Sequence, residues 1–246
     1  MTNDDGIDSP GLAALARCAL DLGWPTVVAA PADEASGTGA GLTAAKDHRR
    51  IAVEHRRLPG LPDVDAYAVA AHPGLIALAA CHGGFGERPD LVLSGVNRGG
   101  NVGRAVLHSG TVGAALTAGI NGARAVAVSL DVAFGEPEPH WDAAANAASD
   151  LMRLAAASDP GTVLNVNVPD VPAGRTGPVR WARLATYGRV RSTVSELVDG
   201  VFEVATVEVS GELEPGTDAA LLADGHVTVT PLCSVHENED LLNQPH

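Results

Sequence analysis

The chain has 246 residues, 46% of them hydrophobic and 3% aromatic, enough for one sizeable core built from small aliphatic side chains and closely packed backbone. Sixteen basic residues against 30 acidic ones leave a net charge of −14, which opposes binding to a nucleic acid polymer. Arg49-Arg50 and Arg56-Arg57 are the densest basic pairs and read as solvated strand or loop edges. Lys46 is the only lysine and follows Ala45, so no Walker-type phosphate loop and no well-placed Schiff-base lysine exists.

At the amino end, Asn3-Asp4-Asp5-Gly6 sets two adjacent carboxylates beside a glycine. Neighbouring side chains on a strand point to opposite faces, so both acids meet at one site only where the chain turns, and Gly6 permits a turn. Such a pair suits a hard cation; the plainer alternative is an acidic helix N-terminus. Ser9 as N-cap and Pro10 at the first helical position open a helix with Leu12, Leu15, Ala16, Ala19 and Leu22 on one face, closed by Gly23. Thr26 to Ala30 reads as a short buried strand ended by Pro31, and Ala35 to Gly41 as a small-residue loop.

The alternation continues with a strand near Ala66–Ala70, a helix after Pro73, and a strand at Asp90–Leu93. A helix from Thr111 to Ile120, a strand at Ala125–Leu130, a helix near Trp141–Ala157 and a strand at Thr162–Val168 follow. Ala66 to Gly86 carries no charged Asp, Glu, Lys or Arg, except that Pro73, His72, His82 and Gly83-Gly84 make it a buried strand plus helix rather than a membrane span. Apolar strands separated by helices predict a mainly parallel sheet in a Rossmann-like three-layer α/β/α core, with ligands beyond the carboxyl ends of strands. That end carries Asp4-Asp5, Ser36, Asn97 and Ser109.

From Pro172 the pattern becomes β-rich, with alternation over Val201–Val209 and again over His226–Leu232. This predicts a core over 1–171 and a β-rich C-terminal arm over 172–246 that serves oligomerisation. Cys18, Cys81 and Cys233 are odd in number and widely spaced, which reads as reduced thiols. No basic region followed by an apolar stretch marks the N-terminus, and the expected location is the cytoplasm.

Ser94-Gly95-Val96-Asn97-Arg98-Gly99-Gly100-Asn101-Val102-Gly103, with Ser109-Gly110-Thr111 shortly after, follows a buried strand. Backbone N–H groups of a glycine-rich loop and hydroxyls at a helix start can hold a phosphate. The bland reading is tight packing plus an ordinary helix cap.

Taken in order, Thr2-Asn3-Asp4-Asp5-Gly6, Pro31 through Ser36-Gly37, Ser94-Gly95-Val96-Asn97 with Asn101, Ser109-Gly110-Thr111-Val112, Asn165-Val166-Asn167-Val168-Pro169 and Thr228-Val229-Thr230-Pro231-Leu232 resemble the survival protein SurE family over nearly the whole chain. The resemblance implies a metal-dependent 5'-nucleotidase that hydrolyses nucleoside monophosphates, with a swapped C-terminal arm that builds a homodimer or homotetramer. It implies Asp4, Asp5, Ser36 and Asn97 as ligands of Mg²⁺ or Mn²⁺. Asn101, Ser109, Gly110 and Thr111 become the phosphate cradle and Asp4 and Asp5 the catalytic acids; apart from the resemblance, His108 beside Ser109 is a candidate general acid, the plainer alternative being a structural histidine. Two carboxylates with neutral Ser and Asn oxygens make a hard-cation set.

This chain departs from the family's pattern at His72-Pro73-Gly74-Leu75-Ile76, where a polar stretch has become apolar. It also starts at the acidic motif itself, which predicts an apolar strand upstream of Met1. The competing readings are a phosphatase with an aspartyl nucleophile at Asp4 or Asp5 and a nucleotide-binding module without turnover.

Overall fold

The computed structural model describes residues 1–43, 50–132, 138–187, 190–198, 201–208, 213–235, 237 and 242. Lys46, Arg49 and Val209 lie outside the described residues.

The first helix, α1 (Pro10–Asp21), begins with proline where its missing N–H is no loss, and Gly23 beyond its end takes a positive φ of 77°. Ser9 sits at the cap position without a side-chain cap bond. Two faces of α1 are buried. Leu12 and Ala16 pack on Val28, Ala30, Ala66 and Ala68, whereas Ala14, Leu15, Cys18 and Ala19 join Leu93, Val96, Val126 and Val128. One helix therefore spans two sheets.

The smaller sheet holds β1 (Val27–Pro31), β2 (Val53–Leu58) and β3 (Leu61–Val69) in the order β1-β3-β2. β1 and β3 run parallel, and β2 folds back antiparallel on β3. Every β2 residue but Leu58 is exposed, so Arg56-Arg57 occupies a solvated strand edge as expected. Helix α2 (Pro73–Cys81) follows β3, and no helix among the described residues is long and apolar enough to cross a membrane.

The larger sheet is built on β4 (Leu91–Arg98), β5 (Arg124–Asp131) and β6 (Val163–Pro169), which run parallel. β6 is buried throughout and β5 nearly so, because α3 (Gly110–Ile120) covers one face and α4 (Trp141–Ala157) the other. The three-layer α/β/α arrangement is present. Beyond 171, β10 (His226–Leu232) pairs antiparallel with β6 and parallel with β7 (Gly177–Trp181). The C-terminal segment thus supplies two strands of the five-stranded sheet, together with α5 (Asp218–Ala223), and only β8 (Val190–Val198) and β9 (Val201–Glu208) form a sheet of their own.

Between the two sheets, Met1 and Thr2 form a short extended stub. The Met1 carbonyl accepts from Ala29 N at 2.9 Å on the β1 side, and Thr2 N donates to Leu93 O at 3.0 Å on the β4 side. Behind the stub lies a groove of about 880 Å³ lined by Trp24, Val27, Ile76, Phe85, Leu91 and Leu93 among others.

Candidate active site

After Thr2 the chain leaves the sheet and turns. Asn3 is buried, and its Nδ2 donates to Gly6 O at 3.0 Å, which closes the turn that carries both acids. Gly6 needs its φ of 97° for this, a conformation that costs other residues energy. Ile7 N donates to Pro31 O at 2.8 Å and Ala35 N donates to Asp4 O at 2.8 Å. These bonds lay the loop after β1, with Ser36, against the acidic turn.

Asp4 is 4% exposed and points at the N-terminus of α3. Its Oδ1 accepts from Thr111 Oγ1, and the backbone N–H groups of Gly110 and Thr111 reach the same carboxylate. A Cβ at position 110 would lie 2.8 Å from Asp4 Cβ and 2.9 Å from Asp4 Oδ2, so the approach requires glycine. Burial still wins over these donors and raises the Asp4 pKa. Asp5 is pushed up to about 6, first by burial and then by the Asp4 charge; the 3.3 Å bond from Arg98 N opposes this, and Glu34 adds repulsion.

Ser36 and Asn97 are the expected neutral ligands. A register shift between Ser94 and Asn97 turns the end of β4, and Asn97 Nδ2 donates to Gly99 O at 2.7 Å, which leaves Oδ1 as the free donor oxygen. Ser36 Oγ donates to Glu34 Oε1 at 2.9 Å and keeps its lone pairs. Among the described residues no group of three or more His, Cys, Asp or Glu side chains could hold a metal. Two crowded carboxylates beside Ser and Asn oxygens, short of positive charge, nevertheless fit a hard dication such as Mg²⁺ or Mn²⁺.

Ser109 is the N-cap of α3, its Oγ accepting from Val112 N at 3.1 Å, and its own proton is available to an anion at the helix N-terminus. His108 stands exposed at the end of a 3-10 turn over Gly103–His108.

The glycine-rich loop departs from expectation. Gly99 N donates to Leu130 O at 2.8 Å, Asn101 N to Asn167 Oδ1 at 2.7 Å and Gly103 N to Asp218 Oδ2 at 2.8 Å. Those N–H groups are bound within the protein and do not face an anion. Asn101 also donates from Nδ2 to Ser129 Oγ at 2.9 Å, and its carbonyl accepts from Asn165 Nδ2 at 2.8 Å and Asn167 Nδ2 at 3.0 Å. Asn3, Glu34, Ser129, Asn165, Asn167 and Asp218 were not foreseen as parts of the site. Two asparagines on one face of the otherwise apolar strand β6 were the available signal.

The family model for survival protein SurE matches residues 1–190. The chain is 36% identical to a protein of Burkholderia lata named 5'-nucleotidase SurE 1, covering 94% of this chain and 88% of that one. It is 37% identical to the 5'-nucleotidase SurE of Halobacterium salinarum, over 97% and 92% of the two chains. The crystal structure of the SurE protein from Aquifex aeolicus superposes with a TM-score of 0.79 at 28% identity, covering 98% of this chain and 95% of that one.

Proposed function

This chain belongs to the survival protein SurE family, and on that premise we propose that it is a metal-dependent phosphatase that hydrolyses nucleoside monophosphates to nucleoside and inorganic phosphate. The observation that carries the reading is the buried Asp4 held at the N-terminus of α3, with Asp5 close enough for the two charges to repel. A dication held by Asp4, Asp5, Ser36 and Asn97 would neutralise phosphoryl charge and make a nearby water more acidic.

The chain's own groups do the rest. Ser109 Oγ at the α3 N-terminus, where the helix dipole favours negative charge, binds a phosphoryl oxygen, aided by the remaining amide hydrogen of Asn101, while Gly110 and Thr111 hold Asp4 beside it. Water attacks phosphorus in line while the bond to the ribose oxygen breaks, and the departing alkoxide takes up a proton, for which exposed His108 is the candidate source. Asp5 accepts the proton lost by the water. The β8–β9 hairpin serves assembly into a homodimer or homotetramer, and the buried thiols of Cys18 and Cys81 suit the reducing cytoplasm.

Phosphate release from a panel of nucleoside monophosphates, with Mg²⁺, Mn²⁺ or a chelator, tests the reading. Release in the presence of metal and none with chelator is expected. Tight nucleotide binding without turnover, or an acyl-phosphate trapped on Asp4 or Asp5, would replace it.

A further inference from the structure

Among the described residues, the glycine-rich loop is hydrogen-bonded to α5 through one carboxylate with no exposed surface. Asp218 accepts three backbone N–H groups: Gly103 N on Oδ2 at 2.8 Å, and Ala185 N and Ala219 N on Oδ1 at 2.9 and 2.8 Å. We propose that Asp218 is a positioning residue for the phosphate-binding turn, a role that rests on the nucleotidase reading above. Its carboxylate fixes the segment that delivers Ser109, Gly110 and Thr111, and ties that segment to the base of the β8–β9 hairpin.

Gly103 is the first residue of the 3-10 turn that ends at His108, and Ser109 N closes that turn on Val106 O at 3.2 Å. The grip on Gly103 therefore bears on the segment that leads into the α3 N-terminus, which Gly39 N also holds through His108 O at 3.2 Å. The contacts around Gly103 come from the C-terminal segment: Arg104 N donates to Ala185 O at 3.1 Å, and Val102 packs with Ala185, Ala219 and Leu222. Ala185 and Asp218 flank the hairpin in sequence, and their segments meet through the isolated Arg183↔Thr217 bridge and the bond from Asp218 N to Arg183 O at 2.9 Å. One buried side chain thus joins the stem of the proposed assembly arm to the proposed phosphate seat. Asparagine has a single acceptor oxygen and would turn an NH₂ toward one of the three donors, so the carboxylate is specifically required.

The test compares Asp218→Asn with Thr217→Ala, which removes the α5 cap on Ala220 N but none of the Asp218 bonds. Each is assayed at a temperature where it is folded. For Asp218→Asn, hydrogen exchange over 103–111 should rise about tenfold while β5 is unchanged, and KM for nucleoside monophosphate and Ki for inorganic phosphate should rise about tenfold. Its Mn²⁺ affinity should stay within about twofold, because Asp4 and Asp5 are untouched. Thr217→Ala should melt lower and keep the wild-type KM and Ki. Unaltered KM and Ki in Asp218→Asn, or equal changes in both variants, would overturn the proposal. A wild-type protein without metal-dependent phosphatase activity would remove the nucleotidase reading alone, since the exchange measurement still reports the grip of Asp218 on the turn. Should Asp218→Asn not fold, the Gly103 amide of the wild-type protein decides: exchange as slow as in β5 supports the contact, and fast exchange overturns it.

Discussion

Asp218 and Asp4 are buried carboxylates and Asp5 a half-buried one, all met by backbone N–H groups, and they differ in what else surrounds them. Asp218 receives three such donors at 2.8 to 2.9 Å. Asp5 receives one at 3.3 Å, stands beside Asp4 and Glu34, and has its pKa pushed up to about 6. A carboxylate that serves the fold is matched donor by donor. Asp5 at the turn has one long bond and two acidic neighbours, offset only in part by Arg98, and the proposed cation would relieve that repulsion.

Asp5→Asn breaks this contrast most severely. Loss of one anionic ligand should cost about a hundredfold or more in turnover and abolish the rise in Tm that metal produces. The same change removes like-charge repulsion, so the metal-free variant should melt above the wild-type protein. Near-normal turnover with Mg²⁺ or Mn²⁺ would contradict the assignment.

A second measurement uses pH. The folded Asp5 pKa is raised from 3.8 to about 6, so the folded state holds a proton that the unfolded chain releases, and metal-free stability falls as pH rises between those values. The loss is on the order of 2–3 kcal/mol. Urea unfolding in chelator should show the fall in the wild-type protein and a smaller one in Asp5→Asn. Identical pH slopes would remove Asp5 as its source.

The smallest effects sharpen the division of labour among neutral groups. Ser109→Ala and Asn97→Ala should each cost roughly 1.5–3 kcal/mol in kcat/KM. Added metal should restore Asn97→Ala alone. Equal rescue of both would show that the two residues do not divide metal from phosphate.

Much of the fold was legible because its signals are local. Pro10 and Gly23 bound α1, and the limits Trp141–Ala157 and His226–Leu232 are those the pattern predicts. Strand β2 was not legible, since Val-Glu-His-Arg-Arg-Leu shows solvent all but Leu58 and carries no apolar alternation. The place of β10 in the central sheet was also hidden, because Thr228 and Thr230 face Asn167 and Asn165 and a polar pairing gives no core signal. In the site, Asp4, Asp5 and Ser109 to Thr111 stood out as compact motifs. The role of Asn167, although it lies in a motif, and that of Asp218 were not legible: their partners are the backbone N–H groups of Asn101 and Gly103, 66 and 115 residues away, which no residue type reveals.

Met1 and Thr2 bridge the two sheets in their plane, while α1 packs across both. The proposed cation ligands come from the two sides of this seam, Ser36 from the loop after β1 and Asn97 from the end of β4. A dication held there would crosslink the two sheets, and its removal should let them melt separately. Calorimetry should record one transition in the metal-loaded protein and two in chelator. A single transition under both conditions would mean that α1 already welds the halves into one cooperative unit.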